Sequence, residues 1–254
     1  MKNRETQNGG QTMLITGATS GFGAAIARQA AMQGFELILT GRRANRLQEI
    51  SHELGDSVLR CLCFDVRDHS ATQDALSALT EKEVPDVLIN NAGLAVGKEP
   101  IHEGIMDDWN RMIDTNLKGL LHVTRELAPR MAKGSRIINI GSVAGKQPYP
   151  GGAVYNASKF AVDGLTQAMR MDLLPKGIQV AQVAPGAAET EFSLVRFKGD
   201  SELAKSVYDG YIPLSADDVA DAVLYIATRP SHVSIQDLLI MPAAQASAYH
   251  FYKS

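Results

Sequence analysis

Short apolar runs alternate along this chain with longer stretches in which apolar residues recur at helical spacing. The apolar runs predict strands at residues 12–16, 36–40, 57–64, 86–90, 135–140, 178–184 and 237–240. The helical pattern lies near residues 24–34, 44–54, 70–79, 106–132, 152–174 and 216–227. Strands this apolar, separated by helices, are typical of a parallel sheet that is covered on both faces. The pattern therefore predicts a doubly wound α/β fold with a seven-stranded parallel sheet.

A glycine-rich loop follows the first predicted strand and opens the first helix, reading TGATSGFG over residues 16–23. Glycine lets the backbone turn sharply and approach a pyrophosphate, whose charge is met by the N–H groups of the helix N-terminus. A plain tight turn is the simpler alternative, but strand, loop and helix all lie where this mechanism requires them. The loop predicts a nucleotide site made by Gly17, Thr19, Ser20, Gly21, Phe22 and Gly23.

The end of the second predicted strand indicates which nucleotide would bind. An acidic residue there would bind the ribose hydroxyls of NAD, but the chain reads Thr40-Gly41-Arg42-Arg43. The forked donors of arginine suit a 2′-phosphate. Two solvated arginines at a helix start are the alternative, although the helix dipole disfavours cations there. The sequence therefore predicts NADP(H) rather than NAD(H), held by Arg42 and Arg43.

Tyr155 and Lys159 lie four residues apart in YNASK, on one face of a predicted helix. An ammonium beside a phenol favours the ionised phenol, which makes a usable acid/base unit near neutral pH. Alone this spacing is a weak signal, since a half-buried tyrosine and a solvated lysine would share it. Ligands in such folds collect at the carboxyl ends of the strands. Six residues each follow one predicted strand and should meet there: Gly17, Arg42, Asp65, Asn91, Ser142 and Pro185.

Length and composition favour one domain with a small ligand. With 254 residues and 45% hydrophobic content, we expect a single domain at 12–254 after a flexible polar leader at 1–11. A net charge of -3 gives no general attraction to nucleic acid or anionic membranes, and no apolar run could span a bilayer, so we expect a cytoplasmic protein. The scattered histidines predict no metal site. Cys61 and Cys63 lie in an apolar run, and we expect buried free thiols.

In combination, these motifs resemble the short-chain dehydrogenase/reductases over essentially the whole length from Thr12 onward. The matching pieces are TGATSGFG, Asp65-Val66, NNAG at residues 90–93, Asn116, Ser142, Tyr155-x-x-x-Lys159 and Pro185-Gly186. The resemblance implies a Rossmann fold in which Tyr155 is the general acid in reduction and Ser142 hydrogen-bonds the substrate carbonyl. It implies that Lys159 holds the nicotinamide ribose and lowers the pKa of Tyr155, while Asn116 supports a water-linked proton relay. The predicted cofactor contacts beyond the glycine loop and the arginines are Asp65, Val66, Asn91, Ala92, Gly93, Tyr155, Lys159, Pro185, Gly186 and Thr190.

Residues 187–214 form the longest segment without clear secondary structure, and loops of this length in compact enzymes are commonly active-site lids. Arg196 in this segment could grip a substrate anion bidentately, although an exposed arginine in a surface ion pair is the alternative. The predicted substrate contacts are Ser142, Tyr149, Tyr155 and Arg196.

A narrower resemblance concerns NNAGLAVGKEP, DDWNRMIDTNLKGL, PYPGG, TEFSLVRFKGD and HVSIQDLLIMPAAQ. These segments are similar to the NADP-dependent 3-hydroxy acid dehydrogenases, also described as serine 3-dehydrogenase or malonic semialdehyde reductase-like enzymes, and to the related sulfoacetaldehyde reductases. The resemblance implies a small anionic aldehyde or the matching hydroxy acid or sulfonate as substrate, and a homotetramer. Carboxylate and sulfonate both stay open, because the segments at residues 145–147 and 186–190 depart from the carboxylate enzymes. The aromatic tail at 241–254 would pack on a neighbouring subunit or on its own domain.

Two other functions stay open at this point. A 3-oxoacyl thioester reductase shares the fold, the cofactor and the catalytic residues, but its acyl carrier partner calls for a basic docking patch, and none is obvious. A non-catalytic NADP-sensing protein could dispense with Tyr155, Lys159 or Ser142, and all three are present.

Overall fold

The computed structural model describes residues 10–253 and contains one seven-stranded parallel sheet, as predicted. The strands are β1 (Thr12–Ile15), β2 (Glu36–Gly41), β3 (Val58–Cys63), β4 (Val87–Asn90), β5 (Arg136–Ile140), β6 (Gln179–Pro185) and β7 (Asp237–Ile240). The helices are α1 (Gly21–Met32), α2 (Ala44–Leu54), α3 (His69–Ser77), α4 (Met106–Ile113), α5 (Gly119–Leu127), α6 (Ala153–Leu173), α7 (Glu191–Arg196), α8 (Ser201–Ser206) and α9 (Ala216–Ala227). Most of the predicted leader lies outside the described residues.

Each face of the sheet carries its own apolar core. Successive strand residues point to opposite faces, so Met13 and Ile15 pack with α1 and α9, whereas Leu14 packs with α3, α5 and α6. The central strands are buried on both sides, which explains why they read as continuous apolar runs in the sequence. The two cores fix the sheet rigidly between the helices.

The strand order β3-β2-β1-β4-β5-β6-β7 reverses between β1 and β4. Loops leaving these two neighbouring strands turn to opposite sides of the sheet and open a crevice at its carboxyl edge. The glycine loop after β1 and the NNAG segment after β4 therefore lie side by side. The candidate functional site therefore lies at the carboxyl edge of the sheet, where the strand order reverses.

Three local expectations are corrected by the structure. Cys61 and Cys63 are exposed free cysteines, because β3 is an edge strand and one of its faces is incompletely covered. The predicted helix at 106–132 ends at Leu127 and is interrupted by a π-helical turn at Asp114–Lys118. The segment 187–214 contains the short helices α7 and α8.

Hydrogen bonds tie the two ends of the segment 187–214 to each other and to the C-terminal tail. Leu214 N–H donates to the Ala187 carbonyl at 3.0 Å, and Glu189 N–H donates to the Leu214 carbonyl at 2.8 Å. The side-chain oxygen of Gln245, in the C-terminal tail, accepts from Ala187 N–H at 2.8 Å. The tail thus packs against its own domain, beside the segment 187–214.

Candidate active site

The glycine loop approaches the NNAG segment so closely that side chains would not fit. Gly17 has φ +67°, in the left-handed region that favours glycine, and a Cβ at Gly23 would lie 2.6 Å from Asn91 Nδ2 and still closer to the Gly17 carbonyl. The Asn91 amide donates to the Thr16 carbonyl at 2.8 Å, and Thr16 Oγ1 accepts from Ala92 N–H at 3.0 Å. These hydrogen bonds hold the loop against the end of β4, and the N-terminus of α1 faces the crevice.

A groove of about 230 Å³ runs along this crevice from the end of β2 to α6. Fifteen of the predicted cofactor residues line it: Gly17, Thr19, Ser20, Gly21, Phe22, Arg42, Arg43, Asp65, Val66, Asn91, Ala92, Gly93, Tyr155, Lys159 and Thr190. Pro185 and Gly186 line an adjoining cavity instead. Gly23 lines neither, since its role is the close packing under the loop.

The two predicted arginines differ in how firmly they are held. Arg43 donates from Nε and Nη2 to Thr19 Oγ1, at 3.2 and 2.9 Å, and from Nη2 to Ser20 Oγ at 2.8 Å. Arg42 is half exposed and lies 3.8 Å from Asp65, whose carboxylate is held mainly by Arg67. Hydrogen bonds from Arg67 lower the pKa of Asp65. Both arginines present donors at the far end of the groove from α6.

Tyr155 lies where the groove meets the second cavity and lines both. Burial raises the pKa of its phenol, and the neighbouring Tyr149 phenol adds to this shift. The Ser142 hydroxyl and the Arg196 charge act in the opposite direction but do not offset the effect of burial. The phenol is therefore protonated throughout the neutral range, as a proton donor must be.

Lys159 is buried one helical turn from Tyr155. Its Nζ donates to the Ile140 carbonyl at 2.8 Å and lies 6.0 Å from the centroid of the Tyr155 ring. Burial lowers the pKa of Lys159 to about 8. The family resemblance implied that Lys159 lowers the pKa of Tyr155, but Lys159 does not shift this pKa in the structure, and burial raises it.

Asn116 lies in the π-helical turn, a rare geometry that is frequent at functional sites. Its amide nitrogen donates to the Leu94 carbonyl at 2.9 Å and to Ser158 Oγ at 3.0 Å, and its oxygen accepts from Leu94 N–H at 2.8 Å. Asn116 lines neither cavity. It ties the segment after β4 to α6, the helix that carries Tyr155 and Lys159.

The second cavity, of about 520 Å³, contains all four predicted substrate contacts, Ser142, Tyr149, Tyr155 and Arg196. The Arg196 guanidinium lies 5.2 Å from the centroid of the Tyr149 ring and 5.8 Å from that of Tyr155. Its Nε and Nη2 are buried and have no hydrogen-bond partner among the residues that the structure describes. Arg196 as a whole is half-buried, and the donors that no described residue uses would suit a bound anion.

The family is shown by comparison with known proteins. Residues 11–199 match the family model described as short chain dehydrogenase. The chain belongs to this family. The family and the fold predicted from the sequence are thereby confirmed.

Several relatives within the family are similar over nearly their full length. Sulfoacetaldehyde reductase 2 of Chromohalobacter salexigens is 47% identical over 92% of this chain and 95% of its own length. Serine 3-dehydrogenase of Agrobacterium fabrum is 43% identical over 93% of this chain and 96% of its own. The NADP-dependent 3-hydroxy acid dehydrogenase of Escherichia coli is 45% identical over the same shares. A solved closed form of serine dehydrogenase complexed with NADP+ has a TM-score of 0.91 and 44% identity, covering 96% of this chain and 100% of that chain.

Some residues at the site were not predicted from the sequence. Ser158 lies inside the YNASK motif and holds Asn116, a contact that its position three residues after Tyr155 could have indicated. Tyr208 lines the second cavity and donates to the Ala188 carbonyl at 2.7 Å. Glu191 and Arg46 form an ion pair of 2.6 Å beside the predicted cofactor arginines. The sequence could not indicate the pairing of Glu191 with Arg46, because these two residues lie far apart in the chain.

Across residues 10–253, no helix has the length and apolar character needed to cross a membrane. The same residues contain no group of three or more His, Cys, Asp or Glu side chains that could hold a metal ion.

Proposed function

We propose that this protein is an NADP(H)-dependent oxidoreductase that interconverts a small anionic aldehyde and the corresponding hydroxy acid or hydroxyalkanesulfonate. The observation that carries the substrate class is Arg196, which lines the cavity beside Tyr155 and has two guanidinium nitrogens without a hydrogen-bond partner in the described structure. The three relatives named above act, by their names, on sulfoacetaldehyde, on serine and on 3-hydroxy acids. Each of these compounds carries an anionic group a short distance from the reacting carbon.

The residues of the groove fit a dinucleotide with a 2′-phosphate. Glycines leave room for a pyrophosphate at the N-terminus of α1, and Ser20, the residue before this helix, makes no capping hydrogen bond with its side chain. Arg42 and Arg43 would hold the 2′-phosphate, and Lys159 and Asn91 would lie along the rest of the cofactor. The NADP named in the relatives supports this choice.

Bound NADPH supplies the hydride that reduces the carbonyl carbon. The remaining chemistry belongs to the side chains: charge develops on the carbonyl oxygen, and the Tyr155 phenol gives its proton to that oxygen while the Ser142 hydroxyl donates a hydrogen bond. The raised pKa of Tyr155 keeps the proton in place until that charge appears. In the reverse direction Tyr155 must first lose its proton, and its oxygen then accepts the proton of the alcohol.

Arg196 fixes the other end of the substrate. With its guanidinium beside the Tyr155 ring, a molecule of two or three carbons can reach from the phenol to the cation. Bidentate pairing suits a carboxylate or a sulfonate, and it would align the carbonyl for reaction.

An NADPH-oxidation screen tests this proposal with malonic semialdehyde, sulfoacetaldehyde, propanal, a short neutral ketone and an acetoacetyl thioester. We expect kcat/KM for at least one anionic aldehyde to exceed that for propanal by about 100-fold, the effect of one charge-assisted contact. Tyr155→Phe should be inactive on all five while still binding NADPH in a calorimetric titration. Preference for the thioester or for neutral carbonyls would contradict the substrate class.

A further inference from the structure

Helix α7 in the lid carries opposite charges at its two ends, and each end reaches a different site. Arg196 at its carboxyl end lines the substrate cavity. Glu191 at its amino end reaches across the cofactor groove to the start of α2. There its Oε2 lies 3.3 Å from Arg43 Nη1 and its Oε1 lies 2.6 Å from Arg46 Nη1. One short helix thus links the 2′-phosphate end of the groove to the substrate cavity.

Each of the three guanidinium nitrogens of Arg43 makes at least one hydrogen bond in this arrangement. Its Nε and Nη2 donate to Thr19 and Ser20 of the glycine loop, and its Nη1 donates to Glu191. Partial burial acts to raise the pKa of Glu191, but hydrogen bonds from Arg46 and Arg43 outweigh it and lower that pKa. The carboxylate is therefore ionised at neutral pH. An anion that uses Arg43 must enter where Glu191 already supplies a negative charge.

We propose that Glu191 is a specificity-determining residue that competes with the 2′-phosphate of the cofactor for Arg43. Both anions would pair with the same guanidinium, and at contact distance they repel each other. A cofactor without the 2′-phosphate does not meet this competition. Glu191 thereby weakens the binding of phosphorylated cofactors selectively and offsets part of the NADP(H) preference that the arginines provide. This inference rests on the cofactor part of the proposed function and not on the aldehyde.

The test is calorimetric titration of the full chain with two cofactor fragments, 2′,5′-ADP and 5′-AMP, at low ionic strength. Glu191→Gln should lower the Kd for 2′,5′-ADP by about three- to tenfold, the size expected from removing one nearby charge, and change the Kd for 5′-AMP by less than about twofold. The side chain is half exposed, so the substitution should leave the melting temperature close to that of the wild type.

Glu189→Gln is the matched control. Glu189 is exposed, lies two residues away in the same lid and borders the same outer surface of the glycine loop, but forms no ion pair with Arg43 or Arg46 in the described structure. It should change the Kd for 2′,5′-ADP by less than about twofold, because its charge is screened by solvent. If Glu189→Gln changes the Kd as much as Glu191→Gln does, the change comes from the net charge of this surface, and the proposed competition at Arg43 is overturned.

The variants also separate this inference from the proposed function. If Glu191→Gln leaves the Kd for 2′,5′-ADP unchanged or raises it, Glu191 does not compete with the phosphate, and the inference fails while the NADP(H) assignment stands. If the wild type binds 5′-AMP as tightly as 2′,5′-ADP, the NADP(H) assignment fails and the inference fails with it. Neither outcome depends on any aldehyde being turned over.

Discussion

Burial shifts the pKa values of Tyr155 and Lys159, both on α6, in opposite directions. It raises the pKa of Tyr155 and lowers that of Lys159 to about 8, because in each case the charged form is the one that loses solvation. Both shifts favour neutral side chains. Tyr155, the proposed proton donor, therefore stays protonated at neutral pH. Lys159 has a pKa of about 8, which lies close to neutral pH.

The depressed pKa of Lys159 predicts a pH-dependent stability. Between about pH 8 and pH 10.5 the unfolded chain binds a proton that the folded chain has lost, so the free energy of unfolding rises with pH through this window. Below pH 8 the buried Lys159 side chain is charged, and its desolvation lowers the free energy of unfolding by the full amount. Lys159→Met removes this titrating group. The free energy of unfolding of the variant, relative to that of the wild type, should therefore be highest at pH 7.

Urea unfolding of wild type and Lys159→Met at pH 7 and pH 9.5 measures this effect. The stability difference between the two proteins should shrink by about 2 kcal/mol toward pH 9.5, given about 1.4 kcal/mol for each pH unit across the window. Unfolded tyrosines begin to ionise near pH 9.5, but both proteins contain the same tyrosines, so this contribution cancels in the difference. A difference that stays constant with pH would show that Lys159 titrates normally.

At the residue scale, sequence reasoning located groups but not their surroundings. The spacing of Tyr155 and Lys159 correctly placed both on one helix beside the groove, because helix periodicity is a local property. The depth of burial depends on the whole fold and not on neighbouring residues in the sequence. The expected lowering of the Tyr155 pKa by Lys159 was therefore wrong, because burial raises this pKa. The same limit explains Cys61 and Cys63, whose exposure follows from the position of β3 at the edge of the sheet.

Among the elements, the glycine loop has little room for a side chain. A Cβ at Gly23 would lie 2.6 Å from Asn91 Nδ2 and would also press on the Gly17 carbonyl, both of which the loop needs in place. We expect Gly23→Ala to cost about 1–3 kcal/mol of stability, as overpacking usually does, and to weaken NADPH binding more than tenfold.

Gly164→Ala makes the same chemical change on α6, where nothing lies within 4 Å of the added carbon. This control should instead stabilise the protein by about 0.5–1 kcal/mol through helix propensity and leave NADPH binding unchanged. Chemical unfolding and calorimetric titration of both variants measure the contrast. Normal NADPH affinity in Gly23→Ala would contradict the close approach of the loop.

The elements themselves were predictable in proportion to their length and periodicity. Helix α9 and strand β7 have the predicted bounds, and α6 differs by one residue at each end. The π-helical turn at 114–118 leaves no mark on apolar spacing and could not be predicted. Helices α7 and α8 have six residues each, too few for a periodic pattern, and their formation depends on capping by Thr190 and Asp200.

For the whole molecule, the alternation of strands and helices was sufficient to predict a doubly wound parallel sheet. It predicted the convergence of distant loops at one edge, and Gly17, Asn91, Ser142 and Pro185 do border the two adjoining cavities. The pairing of Glu191 with Arg43 and Arg46 joins residues about 145 positions apart and required the folded chain. The homotetramer and the cytoplasmic location stay predictions.

The central claim, that this site binds an anionic aldehyde through Arg196, is tested most directly by Arg196→Met, which keeps most of the side-chain volume and removes the charge. Lys98→Met is the matched control, because Lys98 is an exposed cation on the same cavity.

The measurement is kcat/KM for NADPH-dependent reduction of the preferred anionic aldehyde and of propanal by wild type and both variants. Arg196→Met should lower the value for the anionic aldehyde by about 100-fold, as loss of a charge-assisted hydrogen-bond pair does, and that for propanal by less than about threefold. Lys98→Met should change either value by less than about threefold. An Arg196→Met enzyme that keeps the wild-type preference for the anionic aldehyde would contradict the claim.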